Sequence, residues 1–204
     1  GIFHLFTHAF FKALLFLGAG SVIHAMSSEQ DMRNMGGIWR LIPLTYTMMW
    51  IGSLALAGLP FFAGFYSKDM VLESAFAANS SVGTYAFWMG MAAAVMTAFY
   101  SWRLLFMTFH GEPRADEKTM AHVHESPKVM TVPLIVLALG ALFSGYIGYD
   151  LFVGKSMQVF WDQAIFVLPT NTAIIDAHQV PLWVKVAPVI VGLFGIGLAY
   201  YMYI

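Results

Sequence analysis

Between Arg40 and Lys68 no residue is charged, and the same holds between Lys128 and Asp150 and from position 186 to the last residue. Residues 84–109 add a fourth run whose single charge is Arg103, and residues 1–25 a fifth, interrupted by His4, His8 and Lys12. About 20 apolar residues cross the hydrocarbon core of a bilayer, and backbone in lipid must satisfy its polar groups internally. Such runs predict an all-α polytopic membrane protein with about five transmembrane helices. The composition agrees: 59% of the 204 residues are hydrophobic and 10% are charged, against about 25% charged in a soluble domain. The runs are continuous rather than alternating, which excludes a transmembrane barrel.

Ten Lys and Arg against eleven Asp and Glu leave a net charge of -1, so there is no basic field for nucleic acid. Cysteine is absent, which removes disulfides, thiolate catalysis and iron–sulfur ligation together. The start carries neither a basic n-region nor a small-residue cleavage site and is no signal peptide. Because both ends lie in apolar sequence, the chain is expected to be a segment of a longer polytopic protein.

The expected spans are residues 1–25, 40–79, 84–109, 129–149 and 184–204. The second contains Gly58-Leu59-Pro60 and then Gly64. Proline removes a backbone bond and clashes with the preceding turn, so this span is expected to be one discontinuous crossing. The alternative is a complete helix over 40–59 followed by an interfacial one over 61–79. Around residues 156–167 an amphipathic interfacial helix is expected. With 40–79 counted once, the loops 26–40 and 110–128 share one side and carry Arg33, Arg40, Arg114, Lys118 and Lys128. The other side has only Lys155 and Lys185, so the positive-inside rule puts the first pair of loops in the cytoplasm or an organelle's matrix.

Charge inside a span costs roughly 2.5–3.5 kcal/mol at the centre on insertion scales, which makes the exceptions informative. His4, His8 and Lys12 are spaced by four and lie along one stripe of a helix, one turn apart. Histidine can accept a proton at one ring nitrogen and release it at the other, and lysine swings its amine on four methylenes, so the stripe suits stepwise proton transfer. Alternatives are a snorkelling Lys12 with histidines bonding neighbouring helices, or zinc on the histidine pair, which no local Asp, Glu or Cys completes. The second constellation is Lys68 and Asp69, just after the break, with Glu73 one turn on. Unwound backbone at membrane depth belongs where it is buried in protein or lines a cavity, and broken helices recur in ion transport. Here Asp69 is expected to stabilise Lys68; the alternative is a hydrated pair at the membrane surface.

Other ionisable groups carry plainer expectations. His24 is interfacial, Arg103 snorkels, and His110, His122 and His124 belong to the charged loop, where His122-Val123-His124 is a metal candidate or simply solvated. The six Trp and nine Tyr suit interfacial belts.

His4-Leu5-Phe6-Thr7-His8-Ala9-Phe10-Phe11-Lys12-Ala13-Leu14-Leu15-Phe16-Leu17 closely resembles the signature of the antiporter-like membrane subunits of respiratory complex I. Met35-Gly36-Gly37, the stretch from Leu59-Pro60 to Ser67-Lys68-Asp69, and His124-Glu125-Ser126-Pro127 resemble the distal branch, called L in bacteria and chain 5 in mitochondria. The lysine motifs are shared with Mrp-type Na⁺/H⁺ antiporter subunits. The resemblance covers essentially the whole chain, about a third of a full member, and implies that residues 1–204 form part of one proton-translocating domain. It implies that Lys12 is the central lysine of a proton path, that His4 and His8 link it along a buried polar axis, and that Lys68, with its acidic neighbour Asp69, is the terminal lysine near the exit. The implied activity is proton translocation as a subunit of NADH:quinone oxidoreductase. No redox site or cofactor is expected in this chain; NADH, FMN, iron–sulfur clusters and quinone are expected in partner subunits. Other membrane-arm subunits, lipid and protons are the implied partners. The implied location is a bacterial inner membrane or, alternatively, the mitochondrial inner membrane. The rivals are an Mrp-type antiporter subunit working without redox input and a structural membrane scaffold.

Overall fold

The computed structural model describes all 204 residues. Six helices form the bundle: α1 (Ile2–Ala25), α2 (Pro43–Ala57), α3 (Ala63–Ala77), α4 (Ser81–Phe109), α6 (Lys128–Phe152) and α9 (Leu182–Tyr203). Three short ones, α5 (Glu117–His122), α7 (Met157–Trp161) and α8 (Ala173–Ala177), lie in the connections. Four of the six, α1, α4, α6 and α9, are long and apolar enough to cross a membrane. Large side chains such as Phe16, Trp88, Tyr146 and Phe194 stand exposed around the outside, as a lipid-facing surface requires.

α2 and α3 have 15 residues each, about 22 Å of helix, too short singly for a core of about 30 Å. Their contacts with α1 show how they share one crossing. Thr45 of α2 bonds Ser21 at 2.8 Å, Met49 sits against Gly18, and Gly52 against Leu15. Then α3 takes over lower on α1, where Ser67 meets Thr7 at 2.6 Å and His4 at 3.0 Å. The two half-helices therefore run in series, antiparallel to α1. The break follows from local chemistry. Gly58 closes α2 in the left-handed region at φ 77° and donates its N–H to the Ala55 and Leu54 carbonyls. Pro60 has no N–H to continue the ladder, and the chain turns helical again at Ala63.

The core is layered along the bundle. One end packs around Ile38, Ile42, Trp102 and Phe109, the middle around Phe11, Leu14, Leu134 and Ala138, and the other end around Phe3, Phe87, Val153 and Val184. At the first end the two long loops clasp each other. Gly37 and Trp39 donate their N–H groups to the His110 and Phe109 carbonyls, and Arg114 donates to the Arg33 and Met32 carbonyls at 3.0 and 3.2 Å. Residues 26–42 and 110–127 thus share one side of the bundle. Within this clasp Asp31 caps the 3-10 turn Met32–Asn34 and pairs with Arg33 at 2.6 Å; those bonds hold its carboxyl down at about 2.

The segment around 156–167 departs from expectation. Only α7 forms, five residues long. Asp162 sits at φ 41°, a conformation that stops an L-residue helix, and the Trp161 indole donates to the Phe152 carbonyl at 3.1 Å. That bond folds the segment back onto the end of α6, so no long amphipathic helix develops.

Candidate functional site

The break between α2 and α3 lies beside the polar stripe of α1. His4, His8 and Lys12 face it, and together with Lys68 they line a single cavity of about 320 Å³ walled by Phe11, Leu56, Leu72 and Ala94. The stripe predicted from spacing is thus brought to Lys68 by the antiparallel register. The His4 and His8 rings lie 5.6 Å apart between centroids. No group of three His, Asp or Glu side chains converges as metal ligands would.

The Lys68 amine donates to the Ala57 carbonyl at 2.5 Å. It caps the C-terminus of α2, where the unmatched carbonyls and the helix dipole give a negative end. Two glycines make this approach possible. A Cβ on Gly58 would lie 2.5 Å from the Lys68 Nζ, and one on Gly64 would overlap the Ala55 carbonyl oxygen.

Two hydroxyls missed at the sequence level hold His4. Thr7 Oγ1 donates to the His4 carbonyl at 3.2 Å and lies 2.6 Å from Ser67 Oγ, which lies 3.0 Å from His4 Nδ1. Ser67 Oγ also donates towards the Ala63 carbonyl at 3.3 Å, so the hydroxyl pair ties the His4 ring to the backbones of both α1 and α3. Ser and Thr are too common in spans for either to stand out in sequence.

Lys68 and Asp69 form no salt bridge, although each lies within electrostatic reach of the other. The one salt bridge in the structure is Arg33–Asp31, and adjacent helical residues diverge by about 100°, so Lys68 and Asp69 look into different cavities. Asp69 is 5% exposed, and neither carboxylate oxygen has a hydrogen-bond partner. It lines a second cavity, of about 620 Å³, with Glu73, Tyr149, His178 and Lys185. His178 and Lys185 come from a stretch whose mixed composition gave no signal of this role.

The weaker candidates find structural partners. His110 accepts or donates at 2.9 Å with the Tyr46 hydroxyl, and burial pushes its imidazole below its ordinary value. His122 and His124 turn Nδ1 onto the Lys118 and His122 carbonyls, both at 2.7 Å, while the His24 ring packs edge-on to that of His124. Arg103 does not extend freely: its guanidinium lies over the Tyr203 ring of α9, 5.5 Å from the centroid. Glu125, in the His-Glu-Ser-Pro stretch, accepts the Leu44 and Thr45 N–H groups at 2.8 and 3.3 Å, and Ser126 meets Ser21 at 2.7 Å. This loop caps the N-terminus of α2.

Comparison with known proteins places this geometry. Residues 1–97 match the family described as NADH:quinone oxidoreductase/Mrp antiporter, TM. The chain is 50% identical over 202 residues to NADH-ubiquinone oxidoreductase chain 5 of Phytophthora infestans, an alignment covering 99% of this chain and 30% of that protein. It is 46% identical over 200 residues to chain 5 of Marchantia polymorpha, covering 98% and 30%, and 48% identical over 208 residues to that of Chondrus crispus, covering 100% and 31%. The chain thus spans about 30% of the length of the curated relatives it matches.

Proposed function

Because this chain belongs to the antiporter-like transmembrane family shared by NADH:quinone oxidoreductase and Mrp antiporters, we propose that it carries the central and exit parts of a proton path driven by redox chemistry elsewhere in the assembly. The observation that carries this reading is the convergence of His4, His8, Lys12 and Lys68 on one cavity at a helix break. A protein at this depth gains nothing structural from four basic groups in one apolar-walled space, where charge on one raises the energy of charge on the next. A proton arriving at Lys12 moves through His8 and His4 towards Lys68. His4 relays the proton between its two ring nitrogens, with Ser67 at Nδ1. Lys68 is held at the negative end of α2 until a charge change along the axis shifts the balance.

NADH, FMN, iron–sulfur clusters and quinone belong, in this reading, to partner subunits of the membrane and peripheral arms, and this chain contributes no redox site. Its setting is an energy-converting membrane, the inner membrane of a bacterium or of a mitochondrion. The positive-inside rule orients the 26–42 and 110–127 loops to the cytoplasm or matrix.

The test is proton pumping by the whole reconstituted enzyme carrying Lys12→Met, normalised to NADH–quinone turnover and to assembly. The expected result is fewer protons per NADH with the complex intact. An unchanged ratio sinks the path and leaves the scaffold. Ion exchange that persists in the intact assembly without NADH and quinone points instead to the Mrp-type antiporter.

A further inference from the structure

No residue from Leu41 to Ser67 is charged, so α2 brings no charge to its own ends, yet a charged side chain meets each of them. At the N-terminus the capping position is Ile42, which has no side-chain oxygen to offer, and Pro43 follows. The acceptor comes instead from Glu125, some 80 positions on. Leu44 and Thr45 donate their N–H groups to one of its oxygens and the Thr45 hydroxyl donates to the other. At the C-terminus the Lys68 amine donates to the Ala57 carbonyl. A carboxylate at the positive end and an ammonium at the negative end both suit the helix dipole. Resting on the proton-path reading, we infer that Glu125 is a positioning residue for Lys68: acting through the rod of α2, it sets the height at which the Ala57 carbonyl is presented to the amine.

Packed helices shift along their axes by about 1–2 Å when nothing directional holds them. Along most of its length the α1–α2 seam offers only apolar contact, Met49 against Gly18 and Leu15 against Gly52. The side-chain bonds that tie α2 to α1 and to the loops all fall in its first turn. Thr45 meets Ser21 at 2.8 Å, Tyr46 meets His110 at 2.9 Å, and Glu125 takes the two N–H groups. Glu125 itself stands on fixed ground. Its neighbour Ser126 accepts from the Ser21 hydroxyl at 2.7 Å and donates to the Ser21 carbonyl at 3.3 Å, and Pro127 opens α6. Thus one loop pins α2 to both α1 and α6. The far end has little tolerance, because Gly58 and Gly64 leave no room there even for a Cβ. A shift of about 1–2 Å is enough to carry a hydrogen bond past its limit of about 3.2 Å, and the bond at stake is the one that seats Lys68.

The experiment uses the complete assembled complex in proteoliposomes. Protons per NADH are compared in Lys12→Met, Glu125→Ala, Glu125→Gln and Asp116→Ala. Glu125→Gln keeps the reach and one acceptor oxygen. Asp116→Ala removes a cap from the same connection, but on α5, and reports general damage to the loop. The expected pattern is a loss in Glu125→Ala, partly restored in Glu125→Gln, with Asp116→Ala pumping normally. Equal losses in Glu125→Ala and Asp116→Ala, or a loss in Lys12→Met with Glu125→Ala pumping normally, overturn the positioning role and leave the path standing. Normal pumping in Lys12→Met removes the path and the inference with it. The place of α2 is also read without pumping. The chain has no cysteine, so Gly18→Cys with Met49→Cys puts its only two thiols across the α1–α2 seam, and mass spectrometry of the joined peptides follows their oxidation. Adding Glu125→Ala is expected to slow the cross-link several-fold; an unchanged rate overturns the inference. If Glu125→Ala does not assemble, Glu125→Asp, which draws the carboxylate back by one methylene, is read in its place with the same expectations.

Discussion

The Ser67 and Thr7 hydroxyls together hold the His4 ring. Ser67→Ala removes the hydrogen-bond partner of His4 Nδ1. A net hydrogen bond of about 0.5–1.5 kcal/mol makes the expected slowing of proton transfer between about twofold and tenfold. Coupled turnover with its pH profile reads this, and Ser67→Thr restores it; a rate and profile unchanged in Ser67→Ala would show that His4 needs no partner at Nδ1. His110 gives a pH prediction outside the spans. Burial favours its neutral form in the folded state, so below the ordinary value of about 6.5 the unfolded chain binds more protons than the native one. Stability therefore rises with pH through that window and levels off above it. Thermal unfolding in detergent from pH 5 to 7.5 is expected to show this rise, and His110→Gln to flatten part of it. An equal slope in both proteins counts against the buried neutral imidazole.

Two devices make α2 a half-helix with a defined end at each side. At its C-terminus, Gly58 combines a left-handed backbone with direct contact to the Lys68 amine. Gly58→Ala costs about 1–2 kcal/mol for the backbone alone and displaces the amine from the Ala57 carbonyl. Lower thermal stability together with reduced protons per NADH is expected; a stability loss with pumping untouched would show that the amine does not need this seat. At the N-terminus, Glu125 accepts two N–H groups of α2 from a loop some 80 positions away. Glu125→Ala is expected to lower stability by about 1–2 kcal/mol, as loss of an N-terminal cap does. Equilibrium unfolding of the reconstituted protein measures it, and no change would mean that water replaces the carboxylate at no cost.

At the scale of the whole molecule, the crossings alternate and the polar loops sort to two sides. The clasp between residues 26–42 and 110–127 fixes one side through backbone bonds and Arg114, while His178 and Lys185 tie down the other. Single cysteines replacing Asn34 and Lys118 are expected to react with an impermeant reagent from one side, and cysteines replacing Lys155 and Gln163 only from the other. Labelling of all four from one side would contradict the series arrangement of α2 and α3. Between the two ends the middle layer around Phe11 and Leu134 is apolar. The basic cavity borders that layer between α1, α3 and α4, which is where the proposed path for charge runs.

The sequence by itself determined the class of fold, the positions of the long apolar helices, the break at Gly58-Leu59-Pro60 and the stripe of His4, His8 and Lys12. Each of these is set by a local rule: an apolar run of sufficient length, a missing N–H at proline, a repeat of four on a helix. Only the tertiary structure decided that Lys68 joins that stripe while Asp69 leaves it. It also brought Thr7 and Ser67 to His4, His178 and Lys185 to the Asp69 cavity, and Glu125 to α2. Those contacts depend on the antiparallel register of α3 on α1 and on loops meeting across the bundle. Spacing along the chain holds no record of such distances, because hydroxyls and lone charges carry no period of their own. Lys68 and Asp69 make no salt bridge because neighbours in sequence point apart on a helix.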